Sequence, residues 1–82
     1  MINLEISLFY HLKVKAGASP LFLRVPSGTT VQEVKEILEA EYPRLTTQLD
    51  NVMILKGKEI VLEEDVLTED TKISFLTPIG GG

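Results

Sequence analysis

The sequence predicts an α+β fold in two layers, one sheet packed against one main helix. Three observations carry that expectation. Apolar and polar residues alternate strictly from Ile2 onward. A capped amphipathic pattern runs from Thr30 to Glu41. After Val52 only short apolar runs remain, separated by turn and acidic residues. A sheet with one apolar face and a helix with one apolar stripe must cover each other.

The elements follow in order. Ile2, Leu4, Ile6, Leu8 and Tyr10 fall on one side, and Asn3, Glu5 and Ser7 on the other. Period two is a strand with one buried face. The alternation reaches Leu12 and Val14, but strands usually stop near six residues. Lys15 to Pro20 supplies turn residues. Leu21 to Val25 is a second strand, closed by Pro26, Ser27 and Gly28, and it is expected to form a hairpin with the first. Thr30 and Glu33 have the spacing of a capping box. Val31, Val34, Ile37 and Leu38 then mark the buried stripe, with Tyr42 one turn on. Gln32, Glu33, Lys35, Glu36 and Glu39 are assigned to the solvent side. Pro43 stops the helix near Glu41. Arg44 to Asp50 reads as a loop with a short turn bringing Leu45 near Leu49. Val52 to Leu55 reads as a buried strand, Lys56-Gly57-Lys58 as a turn and Glu59 to Val61 as the return strand. Val66 and Leu67 anchor an exposed acidic stretch. Lys72 to Leu76 is the last strand, and Pro78 ends the pairing.

Composition excludes several function classes. At 82 residues the chain is one small domain, and such a domain buries only about 60% of its unfolded surface. Its 44% apolar content is that of a folded protein. A net charge of −4 disfavours nucleic acid and anionic membrane surfaces. With no cysteine there is no disulfide, thiolate nucleophile or thiolate metal site. One histidine, His11, cannot build an all-histidine zinc site. No apolar run approaches the roughly 18 residues of a membrane helix, and no secretory signal is evident. The expected location is the cytoplasm.

No self-contained active site is visible. His11 is the one neutral-pH base, and nothing pairs it with a particular hydroxyl among Ser7, Ser19, Ser27 and Ser74. The carboxylates from Glu63 to Asp70 lack the spacing and central glycine of a calcium loop, so a solvated acidic surface is expected, one able to steer a basic partner. No glycine run has the form of a phosphate loop. The remaining candidate is Pro78-Ile79-Gly80-Gly81-Gly82. Such a tail reads either as a frayed terminus or as a reactive arm. Five extended residues reach roughly 16–18 Å. Glycine lacks a Cβ, so a narrow channel admits it and its carboxylate is sterically open.

Here the residues carry a resemblance. Leu8-Phe9-Tyr10 with the stretch Lys13 to Gly17, Thr30-Val31-Gln32-Glu33-Val34, Leu67 to Asp70, and above all Phe75 to Gly82 resemble the MoaD/ThiS family of ubiquitin-like sulfur carriers, and within it the small subunits of molybdopterin synthase. The likeness spans essentially the whole chain. It departs from the usual pattern at Thr77, Glu69, Lys56 and Gly80. The resemblance implies a β-grasp domain over residues 1–77, with four to five strands in a mixed sheet, and a flexible tail over 78–82. It implies that an activating enzyme uses ATP to convert Gly82 to an acyl-adenylate. Sulfur then displaces AMP to leave a thiocarboxylate, and Gly81 gives backbone access. It implies two partners, a MoaE-like large synthase subunit and a MoeB-like adenylyltransferase of the E1 type. The chain itself would bind no cofactor or metal and would be no enzyme alone.

The globular part should then be a docking surface. Phe9 and Phe22 fall on the otherwise polar sides of their strands, and Pro78, Ile79 and Gly80 lead into the tail. Either the two aromatics belong to a partner interface or sheet twist partly covers them. Rival uses of the same tail are conjugation to target lysines as a protein modifier, and sulfur delivery to thiamin or another sulfur pathway. A third rival is an interaction module whose glycine tail has no role.

Overall fold

The computed structural model describes residues 1–9, 11–46, 49 and 52–76. Strand β1 (Ile2–Leu8) pairs antiparallel with β2 (Leu21–Val25) and parallel with the last strand, β7 (Thr71–Leu76). β4 (Met53–Lys56) lies antiparallel on the other side of β7, and β5 (Glu59–Ile60) closes that edge. The order across the mixed sheet is β2-β1-β7-β4-β5. A second, two-stranded sheet joins β3 (Thr29–Thr30) to β6 (Val66–Leu67).

The alternation in β1 is realised residue by residue. Ile2, Leu4, Ile6 and Leu8 are buried, while Asn3, Glu5 and Ser7 face outward. Their neighbours on the inner face are Leu21, Val25, Ile54, Ile73 and Phe75. Helix α2 (Val31–Glu41) covers that face with Val31, Val34 and Leu38. Leu12, Leu45, Leu49 and Leu67 complete one contiguous core.

Helix α2 starts where the sequence places it, and every early N–H has an acceptor. The Val31 and Gln32 amides donate to the carbonyls of Asp65 and Glu63, at 2.9 and 3.0 Å. The Glu33 amide donates to Thr30 Oγ1 at 3.1 Å, and Glu33 Oε1 accepts from the Thr30 amide at 3.0 Å. These donors have no partner within the helix itself. The acidic stretch is therefore exposed in its side chains but structural in its backbone.

Four expectations are corrected. Lys15 and Ala16 belong to a short helix, α1 (His11–Ala16), rather than to a turn, and Leu12 is its buried residue; the expected antiparallel pairing of β1 with β2 does form, with α1 in its connection. Lys35 is buried, not solvent-facing, because residues 31, 34, 35 and 38 share one helical stripe. Val66 is exposed and pairs with Thr30, while Leu67 alone anchors that stretch. The segment around residue 53 is half-buried: Ile54 is inside and Met53 outside. The loop after Pro43 begins as one turn of 3-10 helix, Pro43–Leu45, and it does bury Leu45 and Leu49. The β4–β5 turn holds Gly57 at φ 63°, a conformation glycine adopts without a Cβ penalty.

Candidate functional site

Pro78, Ile79, Gly80, Gly81 and Gly82, the tail residues expected to carry the chemistry, lie outside the described residues. The structure bears on the surface from which they depart. Leu76 is the last described residue, at the end of β7 on the outer sheet face, the face away from α2.

Register shows what surrounds that point. Met53 pairs with Leu76, and Leu55 lies between Ser74 and Ile60. Phe9 directly follows β1, one residue past the Leu8–Phe75 pair that ends the β1–β7 register, at the end of the sheet where Leu76 lies. Phe9, Met53 and Ile60 are all exposed, and Leu55 and Leu76 are half-buried. Five apolar side chains thus occupy one end of the outer face. An apolar cluster of this kind is a candidate contact surface.

Phe22 does not belong to it. It is 72% exposed on β2, in the row with Glu5 and Lys72. Phe9 lies four residue steps from that row, about 13 Å along an extended chain. Phe22 instead walls a shallow groove of about 600 Å³ with Arg24, Glu5 and Lys72. Twist covers neither aromatic fully, and the structure keeps them apart. Met53, Leu55, Ile60 and Leu76 were missed as surface residues. Period two in β4 and β7 places Met53, Leu55 and Leu76 outward, because Ile54 and Phe75 point inward; Ile60 joins them only through the β4–β5 register.

Among the other candidates, Asp70, Ser19 and Glu63 make contacts that hold the fold together. His11 is exposed at the start of α1. Among the described residues no group of His, Cys, Asp or Glu is arranged to hold a metal ion. Asp70 Oδ1 accepts from the Asn3 amide at 2.8 Å, and that bond, with a second from the Asn3 side chain, holds its carboxyl below the usual aspartate range. Ser19 Oγ accepts from the Leu8 amide at 2.9 Å and donates to the Leu8 carbonyl at 3.1 Å. Lys35 Nζ lies 3.4 Å from Glu63 Oε1. No described helix is long and apolar enough to cross a membrane.

The sequence profile of the ThiS family matches residues 6–82. The chain is 24% identical over 81 residues to the molybdopterin synthase sulfur carrier subunit of Arabidopsis thaliana, covering 99% of this chain and 84% of that relative. The small archaeal modifier protein 1 of Methanosarcina acetivorans is 25% identical, with a TM-score of 0.84 over 100% of this chain and 98% of its own. The complex of subunits 1 and 2 of the molybdopterin-converting factor from Helicobacter pylori contains a chain 21% identical, with a TM-score of 0.71, covering 99% of this chain and 100% of that one. The shared architecture is the ubiquitin-like β-grasp.

Proposed function

The chain belongs to the ThiS family, and from that premise we propose that it is the sulfur-donating small subunit of a molybdopterin synthase. The observation that carries this reading is the family match, which runs through the glycine tail to residue 82. The likeness to a plant synthase subunit supports the choice of pathway.

The chemistry follows from the tail. A carboxylate resists nucleophilic attack because of its charge and resonance. An E1-like, MoeB-like adenylyltransferase joins a Gly82 oxygen to the α-phosphorus of ATP, and pyrophosphate leaves. A sulfur nucleophile then attacks the carbonyl carbon and AMP leaves with that oxygen. Where the nucleophile is hydrosulfide, loss of its proton leaves the thiocarboxylate; where it is a persulfide, a thiol attacks the acyl disulfide, releases the thiocarboxylate and leaves with the donor as a disulfide. Gly81, without a side chain, lets both partners reach this carbon. The catalytic groups and the nucleotide site belong to the partners.

The cluster of Phe9, Met53, Leu55, Ile60 and Leu76 then docks the MoaE-like large subunit or the activating enzyme, with Pro78, Ile79 and Gly80 threading into the partner. A tail that starts beside an apolar patch is positioned by the same contact that recognises the domain. Phe22 lies outside this cluster and is assigned no part in it.

The test is intact-protein mass spectrometry after incubation with the cognate activating enzyme, ATP and a sulfur source. Exchange of one terminal oxygen for sulfur supports the carrier reading. An unchanged mass while the enzyme turns over ATP overturns it. Co-purification with a large synthase subunit separates this pathway from other sulfur pathways. A second reading, conjugation to target lysines, is favoured by the likeness to an archaeal modifier protein. Chain-bearing isopeptide adducts in cells would select it.

A further inference from the structure

The outer edge of the main sheet is β2, and the geometry fixes which of its backbone groups have no partner among the described residues. Ser19 Oγ bridges both the N–H and the C=O of Leu8, so these groups point toward the β2 side. The Asn3 amide donates to Asp70, so the odd-numbered groups of β1 point toward β7. Strand groups alternate with period two. Leu8, Ile6, Leu4 and Ile2 therefore face β2, and their partners Leu21, Leu23 and Val25 spend their own groups on β1. The N–H and C=O of Phe22 and Arg24 point out of the sheet, away from β1.

An edge of this kind is usually blunted by charges, prolines or a bulge. Here the five-residue strand has one charge, Arg24, and prolines only outside it, at positions 20 and 26. The opposite edge, β5, has two residues. We propose that β2 pairs antiparallel with β2 of a second copy of this chain, about a two-fold axis through Leu23, joining two five-stranded sheets.

Self-complementarity selects both the occupant and the register. Centred on Leu23, Phe22 faces Arg24 of the second copy and Arg24 faces its Phe22. All four open groups of each copy are then used, giving four hydrogen bonds. Each guanidinium lies beside a ring that is 72% exposed in the single chain, a cation–π arrangement. Moving the axis to Phe22 sets Arg24 against Pro20, which has no N–H. Moving it to Arg24 sets two arginines against each other and Phe22 against Pro26. Only the Leu23 register avoids both faults. The inner-face pairs become Leu21 with Val25, so each apolar face remains on its own side.

The contact is small. A stable interface buries roughly 1,200 Å² or more, and one five-residue edge falls well short. The pairing is therefore weak, with dissociation near the millimolar range. Two copies each of β1 and β2 separate the two β7 strands, so both tails remain available. The pairing is thus independent of sulfur carriage.

The test uses the full chain. In a dilution series through the millimolar range, the Phe22 and Arg24 amide resonances should shift together, and Phe22→Pro should abolish the shift. That substitution removes an outward N–H that β1 does not use. Disulfide trapping supplies the second arm, since the natural chain has no cysteine. Facing Leu23 residues form a pair without mutual hydrogen bonds, about 4.5 Å between Cα atoms, within disulfide range. Leu23→Cys should cross-link at least tenfold faster than Lys58→Cys, although Lys58 is exposed and Leu23 half-buried. Concentration-independent amides in the natural chain, or cross-linking no faster at position 23 than at 58, would overturn the pairing. Amide shifts that appear only when an extended peptide of another protein is added would reassign the edge to that partner.

Discussion

Lys35 is the place where the forces in this domain compete most directly, and replacing it by methionine separates them. Its side chain is 8% exposed, and Glu63, 3.4 Å away, is 58% exposed. The methylene stem lies in the apolar stripe of α2 while the ammonium reaches the rim, in the manner of a snorkelling side chain. Lys35→Met keeps the stem's contacts, removes a desolvated charge and gives up one ion pair. Exposed pairs contribute about 0–1 kcal/mol, whereas desolvating an ammonium costs several kcal/mol at full burial. The desolvation relief wins or nearly cancels, so stability should change by less than about 1 kcal/mol, on the stabilising side. Glu63→Gln acts the other way, stranding the ammonium. Breaking a fully buried pair costs about 3–5 kcal/mol. Glu63 is more than half exposed and water reaches this end, so about 1–2 kcal/mol is expected. For a domain of this size that lowers the melting temperature by about 4–16 °C. Combining both substitutions should restore the Lys35→Met value, because no charge is left stranded. Urea unfolding at constant m-value reads all three. A large loss in Lys35→Met with a silent Glu63→Gln would refute the reasoning, since the ammonium would then be serving some contact other than Glu63.

Other outcomes follow from single contacts. Thr30→Ala removes the hydroxyl that accepts from the Glu33 amide and should cost about 1 kcal/mol in chemical denaturation, with the core unaltered. Phe75→Ala, fully buried between Leu8 and Ile54, should cost about 3–5 kcal/mol, seen as a lost or strongly lowered thermal transition. Met53→Ser should leave stability within about 0.5 kcal/mol yet weaken co-purification with a large synthase subunit at least tenfold. The folded pKa of Asp70 lies below its ordinary 3.8, so its bond to Asn3 stabilises the fold above that pH and is lost as pH falls through the lowered value. Asp70→Asn should flatten this part of the acid-unfolding profile, measured by circular dichroism.

What could be read without coordinates is what is encoded locally. Ile2 to Leu8 alternate because each residue sees only its own strand's two faces. The start of α2 was legible because Thr30 and Glu33 satisfy each other within one turn. Its end was legible because Pro43 acts on its immediate predecessor. The glycine tail stands out in the sequence as a run without side chains, and the chemistry proposed for it asks for no packing within this chain. The features that escaped depend on residues far away in the chain. Helix α1 forms where the alternation runs on into Leu12 and Val14, and it buries Leu12 in the core while leaving Val14 exposed. Lys35 enters the apolar stripe because Glu63, 28 residues on, meets its charge. The pairing of Thr29–Thr30 with Val66–Leu67 needs two segments that only the fold brings together. Met53, Ile60 and Leu76 become one surface only through the register of β4 with β5 and β7. Burial and adjacency are properties of the whole chain's arrangement, so tertiary structure alone could decide them.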